Sequence, residues 1–557
     1  MFEKVTLRVR SVLDSIGLIL MVFSLTFIMP MLVGLWYGES IHSMILMYIV
    51  PMILTANIGL IFWVLGIEEE EVLKDRKLLL AICLSWIVLM VLPSSIILPL
   101  GEALFPIIAA SIIGIVIVVM FIILKYFRRR SRAKEMRDRE AFVSVALGWL
   151  IISFLGSLPY VFGGILNSTD AFFETMSGFA TCGSTVLEVS KGLDYLDIYP
   201  HSIMFWRSLT QWLGGMGIVV LSIVVLARAM GPGGAKLFKA EHVAMRIKPR
   251  IRETASVLLK IYLGITIVGI ILLFAAGMPL FDSVCHSFTS LATGGFSTRY
   301  NGIGAYNNVL IEIITIGIMI IGGTNFTLHY QFLTGKPKAY FKDSEFKFYV
   351  FLLTTVSIFI ALILTICAHY SPLSALRYAV FQTASINTTT GAVSADFGTW
   401  PYSAQILLLL LMFIGGCVGS TAGAIKVIRS LVLLKVVRRE LRRLIHPKSV
   451  EPIKLGKSPI SEELVHNIIA FFFLYLLIFV ISTIGISLIE TLDPVSSASA
   501  VATTMGGVGP GLGKVGPATT FALISPIGKM WLSVCMWLGR LEIFACLLLF
   551  SPGTYKS

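Results

Sequence analysis

The sequence predicts an all-α polytopic membrane protein: four helix–re-entrant segment–helix repeats around a pseudo-fourfold axis, preceded by extra N-terminal transmembrane hairpins. Three observations carry this. Of 557 residues, 56% are hydrophobic and 13% charged, against about 25% charged in soluble domains. Apolar runs of about 20 residues recur along the chain. From Phe142 onward one unit recurs four times. It is a long apolar helix, a shorter half-apolar helix, a Gly/Thr-rich segment and a second long apolar helix.

Residues 1–127 hold four apolar runs, about 16–36, 43–65, 78–100 and 105–126. The first is too long for a signal-peptide core and runs directly into another, so it is read as a retained span. The acidic stretch Glu68-Glu69-Glu70-Glu71 is a solvated loop, and the four spans form two hairpins of a peripheral packing or assembly module. Residues 128–141, with Arg128-Arg129-Arg130, Arg132, Lys134, Arg137 and Arg139, form a basic linker.

The repeats are placed at 142–230, 250–335, 346–446 and 461–552. Their long helices are expected at about 142–162 and 202–229, 254–276 and 307–330, 347–369 and 402–436, and 465–490 and 527–550. The short helices are expected from Asp170 to Gly178, Asp282 to Leu291, Ser374 to Asn387 and Asp493 to Met505. Asp170, Asp282, Ser374 and Asp493 suit N-caps.

Charge sets the topology. The net charge is +13, but the basic residues cluster in the loops between units, as in cytoplasmic loops, and nucleic acid is not the partner implied. The Gly/Thr-rich segments are poor in basic residues. Both termini and the inter-unit linkers are therefore expected in the cytoplasm, with the four polar segments entering from outside. The seven cysteines are odd in number and lack CxxC pairs, and the eight histidines lack an HxxxH pair. That argues against a disulfide framework or a zinc site.

The four polar segments centre on Thr181-Cys182-Gly183, Thr293-Gly294-Gly295, Thr389-Thr390-Gly391 and Gly507-Val508-Gly509. The glycines at 183, 295, 391 and 509 are 112, 96 and 118 residues apart. One such tripeptide reads as a turn or helix end. Four at equivalent places on one membrane face read as irregular backbone lining a path, the setting in which it is tolerated at membrane depth. Helix C-termini pointing inward favour a cation. Glycine lets carbonyls approach a bare ion, and a carbonyl ring replaces the water shell of K⁺. Pro510 holds Gly509 extended.

The chain resembles the Trk/Ktr/HKT superfamily of potassium transporters, and within it the TrkH-type membrane subunits. The residues that carry the likeness include Asp170-Ala171-Phe172-Phe173-Glu174, Gln211-Trp212-Leu213-Gly214-Gly215-Met216-Gly217, Thr293 to Thr298, Asn325-Phe326-Thr327-Leu328-His329, Gly415 to Gly423, Gly509 to Gly513 and Gly539-Arg540-Leu541-Glu542. The resemblance implies K⁺ uptake through a selectivity filter at Gly183, Gly295, Gly391 and Gly509 in a pseudo-fourfold pore. Glycine at position 183 resembles the potassium-selective members. It further implies a homodimer in the cytoplasmic membrane, a cytosolic nucleotide-binding partner of the TrkA type, and no organic cofactor. The hairpin 78–126 is extra relative to the usual layout. Gly506-Gly507 and Cys182 depart from the Asn-Asn and Thr common in relatives.

The second helix of unit three is interrupted from Gly415 to about residue 424, with Gly416, Gly419, Ser420, Thr421 and Gly423, and resumes near Lys426. The residues alone read equally as a moving break or as close packing of small side chains. The resemblance implies an intramembrane gate loop. Arg540 lies 11 residues after Lys529, about 17 Å along a helix and near mid-membrane. It either faces the pathway or pairs with Glu542; in the family the matching arginine faces the pore. Lys260 and Arg207 are read as snorkelling cations near span ends. His286 and His329 are read as satisfied core histidines, and Glu174 as a cation attractor or a solvent-facing helix residue. A K⁺ symporter coupled to H⁺ or Na⁺ is the alternative; it wants a mid-membrane carboxylate, for which Glu312 and Glu542 are the candidates. No enzyme constellation is evident in the spans.

Overall fold

The computed structural model describes residues 9–66, 138–189, 193–229, 251–447, 451–456 and 458–550. The predicted hairpin 78–126, most of the basic linker and the acidic stretch at 68–71 lie outside the described residues. Two compact units are present. One comprises Met1–Phe172, Pro200–Phe205 and Ala545–Ser557; the other comprises Phe173–Tyr199 and Trp206–Phe544.

In the first unit, Val9–Trp36 and Ile41–Gly66 form a hairpin of spans. Small residues set its spacing: a Cβ on Gly17 would sit 2.5 Å from the Trp63 amide nitrogen, and one on Gly66 would sit 2.5 Å from that of Asp14. Backbones this close are the usual device of helix pairs in lipid. The turn is tied down by Glu39, whose carboxylate accepts from the Ser202 amide at 2.9 Å and hydroxyl at 2.6 Å.

The second unit holds repeats two and three, most of repeat four and the ring-forming part of repeat one. Among the described residues six helices are long and apolar enough to span a membrane, among them Glu253–Ala275, Ser344–Cys367 and Glu462–Ile489, which open repeats two to four. The short helices are Ser168–Phe179, Leu280–Leu291, Pro372–Asn387 and Pro494–Gly506.

The capping expectations need correction. Asp493 is the N-cap of its helix, accepting from the Ser496 amide at 3.1 Å. These bonds to Ser496 hold its carboxyl below the ordinary carboxylate range. Asp170 lies within its helix and accepts from the Asn167 side chain. Pro279, not Asp282, precedes the second helix, and Ser371 caps the third, accepting from the Ser374 amide. The local signals at 371 and 279 come before the predicted caps, because proline at the first helical turn of the third helix sets the start earlier.

The second helices of repeats two, three and four are broken. Val309–Gly322 and Phe326–Leu333 meet at 102°, where a straight helix 307–330 is expected from the sequence. Tyr402–Leu411 is separated from Val427–Ile445 by the irregular stretch between them. Pro526–Arg540 stops at Leu541, and Glu542 takes a left-handed φ of 56° before Ile543–Leu547.

Candidate functional site: a ring of four backbone segments

Each short helix runs into its Gly/Thr segment with the amides turned back onto the helix. The Cys182 amide donates to Ser177 O at 2.8 Å, Gly294 to Thr289 O at 2.8 Å, Thr390 to Ser385 O at 2.8 Å and Val508 to Thr503 O at 2.9 Å. These bonds satisfy the donors inside the protein.

The handedness alternates. Thr181, Thr293, Thr389 and Gly507 have φ of 47°, 55°, 57° and 67°, and the glycines two residues on, Gly183, Gly295, Gly391 and Gly509, have 91°, 77°, 71° and 108°. Cys182, Gly294, Thr390 and Val508 between them stay at negative φ. Alternating hands turn successive amides to one side of the strand, which leaves the carbonyls on the other. A threonine or other non-glycine residue at positive φ is strained and persists where its surroundings over-determine it.

The four segments close on one another in cyclic order. A Cβ built on Gly183 would lie 2.2 Å from Gly294 O, one on Gly295 1.9 Å from Thr390 O, one on Gly391 1.6 Å from Val508 O, and one on Gly509 2.9 Å from Cys182 O. Each glycine thus abuts the carbonyl just before the glycine of the next repeat. All twelve predicted residues, Thr181 to Gly183, Thr293 to Gly295, Thr389 to Gly391 and Gly507 to Gly509, are brought together. The ring is not uniform: Gly294 O accepts from Gln211 Nε2 at 2.7 Å and Gly509 O from Ser184 Oγ at 2.9 Å.

The four glycines border a cavity whose wall includes Arg299 and Tyr300. That wall is braced: Arg299 pairs with Asp282 at 2.9 Å and Asp194 at 3.2 Å, and Tyr306 donates to Asp282 at 2.7 Å. Asp282 therefore serves the loop that follows the ring.

On the other side of the ring, at the Thr389 end, sits the irregular stretch of repeat three. The Gly423 amide donates to Thr389 Oγ1 at 2.7 Å, and Thr421 Oγ1 lies 3.2 Å from Thr293 Oγ1. The stretch loops back to form a parallel bridge at Ile414 and Ile425, with Gly415 N bonded to Ile425 O and Ile425 N to Phe413 O. It docks on the break in repeat two through Cys417 N to Gly323 O at 2.8 Å and Phe326 N to Gly419 O at 3.0 Å. Its glycines are required by close approach: a Cβ on Gly415 would lie 2.1 Å from Gly423 O, and one on Gly416 2.5 Å from Gly323 O.

Arg540 is buried, 7% exposed, and Nη1 donates to Thr421 O at 2.8 Å. Pairing with Glu542 does not occur: that carboxylate binds Arg429 at 2.7 Å. Lys426 Nζ donates to Ala422 O. Gly419, Ser420, Gly423, Lys426 and Arg540 border a second cavity.

Two readings change. Arg207 does not snorkel; it is buried and pairs at 2.7 Å with Glu174, itself fully buried. Glu174 also accepts from the Val186 amide and the Thr185 hydroxyl, so it is neither a cation attractor nor solvent-facing. It pins the strand leaving the ring. His329 is satisfied by Tyr340 OH at 2.5 Å and Ile321 O at 2.9 Å, and His286 Nε2 lies 3.4 Å from Thr298 Oγ1. The sequence reading passes over Glu345, which is buried and accepts from Val418 N at 2.8 Å and Ile428 N at 3.2 Å, clamping both flanks of the loop. Its one sequence signal is a carboxylate in the first turn of an otherwise apolar span.

The comparisons with known proteins agree with this architecture. A family described as "TrkH: Cation transport protein" matches residues 107–554. The chain is 41% identical over 445 residues to the Trk system potassium uptake protein TrkH of Vibrio parahaemolyticus, covering 78% of this chain and 89% of the relative. It is 39% identical over 439 residues to TrkH of Escherichia coli K12, covering 77% and 89%. The crystal structure of the potassium transporter TrkH from Vibrio parahaemolyticus superposes with a TM-score of 0.79 at 34% identity, covering 98% of this chain and 99% of that one. The chain therefore belongs to the TrkH family of cation transport proteins, which are membrane transporters and not enzymes.

Proposed function

We propose that this chain takes up K⁺ across the cytoplasmic membrane through a gated, channel-like filter. The observation that carries the reading is the cyclic contact of the four glycines with four neighbouring carbonyls. Four segments supply oxygens in layers, and such rings replace the hydration shell of K⁺. The relatives are named potassium uptake proteins, and glycine at 183 supports K⁺ over Na⁺. Inward driving force comes from the membrane potential, about 2.3 kcal/mol per charge per 100 mV.

The loop 415–424 with Lys426 and Arg540 acts as the gate on the inner side. It sits against the residues that open the ring and carries a buried guanidinium, which opposes a cation. Both termini face the cytoplasm on the positive-inside argument. The working assembly is a homodimer carrying a cytosolic nucleotide-binding subunit of the TrkA type, as the resemblance implies. A symporter reading has less support, because Glu312 is held by Arg377 through two 2.8 Å bonds and Glu542 by Arg429.

Flux of radioactive rubidium into liposomes, with Na⁺ as competitor, tests the reading. The expected result is saturable uptake resistant to excess Na⁺ and lost in Gly391→Ser. Undiminished flux in that variant removes the filter assignment.

A further inference from the structure

The cavity under the loop has an unbalanced wall. Arg540, Lys426, Arg429 and Glu542 all line it. Glu542 is matched to Arg429 at 2.7 Å, and Arg429 also lies 4.0 Å over the Phe471 ring. Among the described residues no carboxylate lies within ion-pair distance of Arg540 or Lys426. Their protein bonds go to backbone carbonyls of the loop, Thr421 O and Ala422 O. Arg540 is 7% exposed, and its Nε and Nη2 have no hydrogen-bond partner.

A guanidinium carries five donors and an ammonium three. Burying such charge without a counter-charge costs several kcal/mol. Water answers the open donors but not the charge. A cation is disfavoured, because the wall carries three positive groups and one negative.

We propose that this cavity binds a small inorganic anion, of which chloride is an example, between Arg540 and Lys426, and that the bound anion holds the loop shut. Arg540 ends the helix Pro526–Arg540, and Lys426 closes the loop just before Val427–Ile445. An anion held by both ties two elements that separate when the loop withdraws. A ligand that binds one of two states shifts the balance toward it. The closing effect rests on the gate reading above; the binding itself does not.

The test uses the full chain in detergent at constant K⁺, with chloride exchanged for gluconate, which is too bulky for the site. Chloride should raise the wild-type melting midpoint by about 1–3 °C over gluconate, and Arg540→Gln should abolish the difference. Lys426→Gln should weaken it. Should Arg540→Gln fail to fold, chloride-35 NMR line broadening on the wild type, against Arg540→Lys, gives the same answer. In liposomes, chloride on the loop side should lower wild-type rubidium flux about twofold relative to gluconate. Equal midpoints in the two salts overturn the proposal, as does a chloride effect that survives in Arg540→Gln. Binding without any change in flux overturns the closing role. Raised flux in Arg540→Gln with no anion effect in the wild type removes the anion and leaves the gate standing.

Discussion

Alanine at each ring glycine in turn should damage transport in a rank order set by the backbone. A Cβ within 3.0 Å of a heavy atom forces movement. At Gly391 the obstructing atom is Val508 O at 1.6 Å, with Pro510 Cδ at 2.8 Å, so the carbonyl of the next repeat must retreat by more than about 1 Å. Misplacement on that scale at a site of matched geometry costs on the order of 100-fold in rate. At Gly295 and Gly183 the gaps are 1.9 and 2.2 Å, and at Gly509 2.9 Å from Cys182 O. All four also carry positive φ, which adds about 1–2 kcal/mol of strain to each alanine variant. That strain acts on folding and is common to the set, whereas displacement of the neighbour acts on the ring. Rubidium flux per folded protein should therefore fall most in Gly391→Ala, then Gly295→Ala, then Gly183→Ala, and least in Gly509→Ala, with at least tenfold between the extremes. Folded amounts are measured by size exclusion before reconstitution. If Gly391→Ala carries flux equal to Gly509→Ala, the carbonyl contacts do not define the conducting ring.

Arg540→Ala, and separately deletion of Gly419 to Gly423, should raise basal flux several-fold; unchanged flux in both sinks the gate. Glu345→Gln keeps the shape but weakens two charge-assisted bonds to Val418 and Ile428, worth about 1.5–3 kcal/mol each at most. It should lower the melting midpoint and raise leak, read by thermal unfolding and flux on one preparation. Glu174→Gln leaves the buried Arg207 uncompensated, a loss of about 3–5 kcal/mol, so folded yield should drop sharply, while Glu174→Met with Arg207→Met recovers much of it.

The recurring order of elements and the four glycine-bearing segments are legible because most rest on a strong local signal: a long apolar run, or glycine and threonine where lipid demands apolar residues. The breaks were less so. The two helices 309–322 and 326–333 pass together as one apolar stretch, so mean hydropathy does not register the 102° bend between them. The visible mark is Gly322-Gly323-Thr324-Asn325, where Asn325 accepts from the Thr327 amide and restarts the helix. Arg207 and Glu174 were misplaced for a different reason. Read singly, Arg207 is a charge near a span end and Glu174 a carboxylate on a short helix; their burial depends on a pairing 33 residues apart, which periodicity does not encode. Arg540 was placed at mid-membrane by counting residues, but its partner, the carbonyl of Thr421, emerges from the loop's fold.

The bonds that shape the base of the ring are the same ones that seat the proposed gate. Thr421 donates to Leu291 O or Gly322 O at 2.9 Å and accepts from Arg540 through its carbonyl, its amide donates to Gly322 O at 3.1 Å, and Gly423 donates to Thr389 Oγ1. Three neutral bonds at about 0.5–1.5 kcal/mol and one to a guanidinium at about 1.5–3 amount to roughly 3–7.5 kcal/mol. Turning a two-state equilibrium from 1:99 to 99:1 takes about 5.5 kcal/mol, so contacts of this size are of the order needed to bias the proposed gate toward its docked position. Withdrawal of the loop would release the Thr389 and Thr293 hydroxyls at the ring's inner edge in repeats three and two, and would part it from repeat four, where Arg540 binds Thr421 O and a Cβ on Gly423 would lie 2.4 Å from Gly506 O. The proposed gate therefore bears on the ring through repeats two, three and four together.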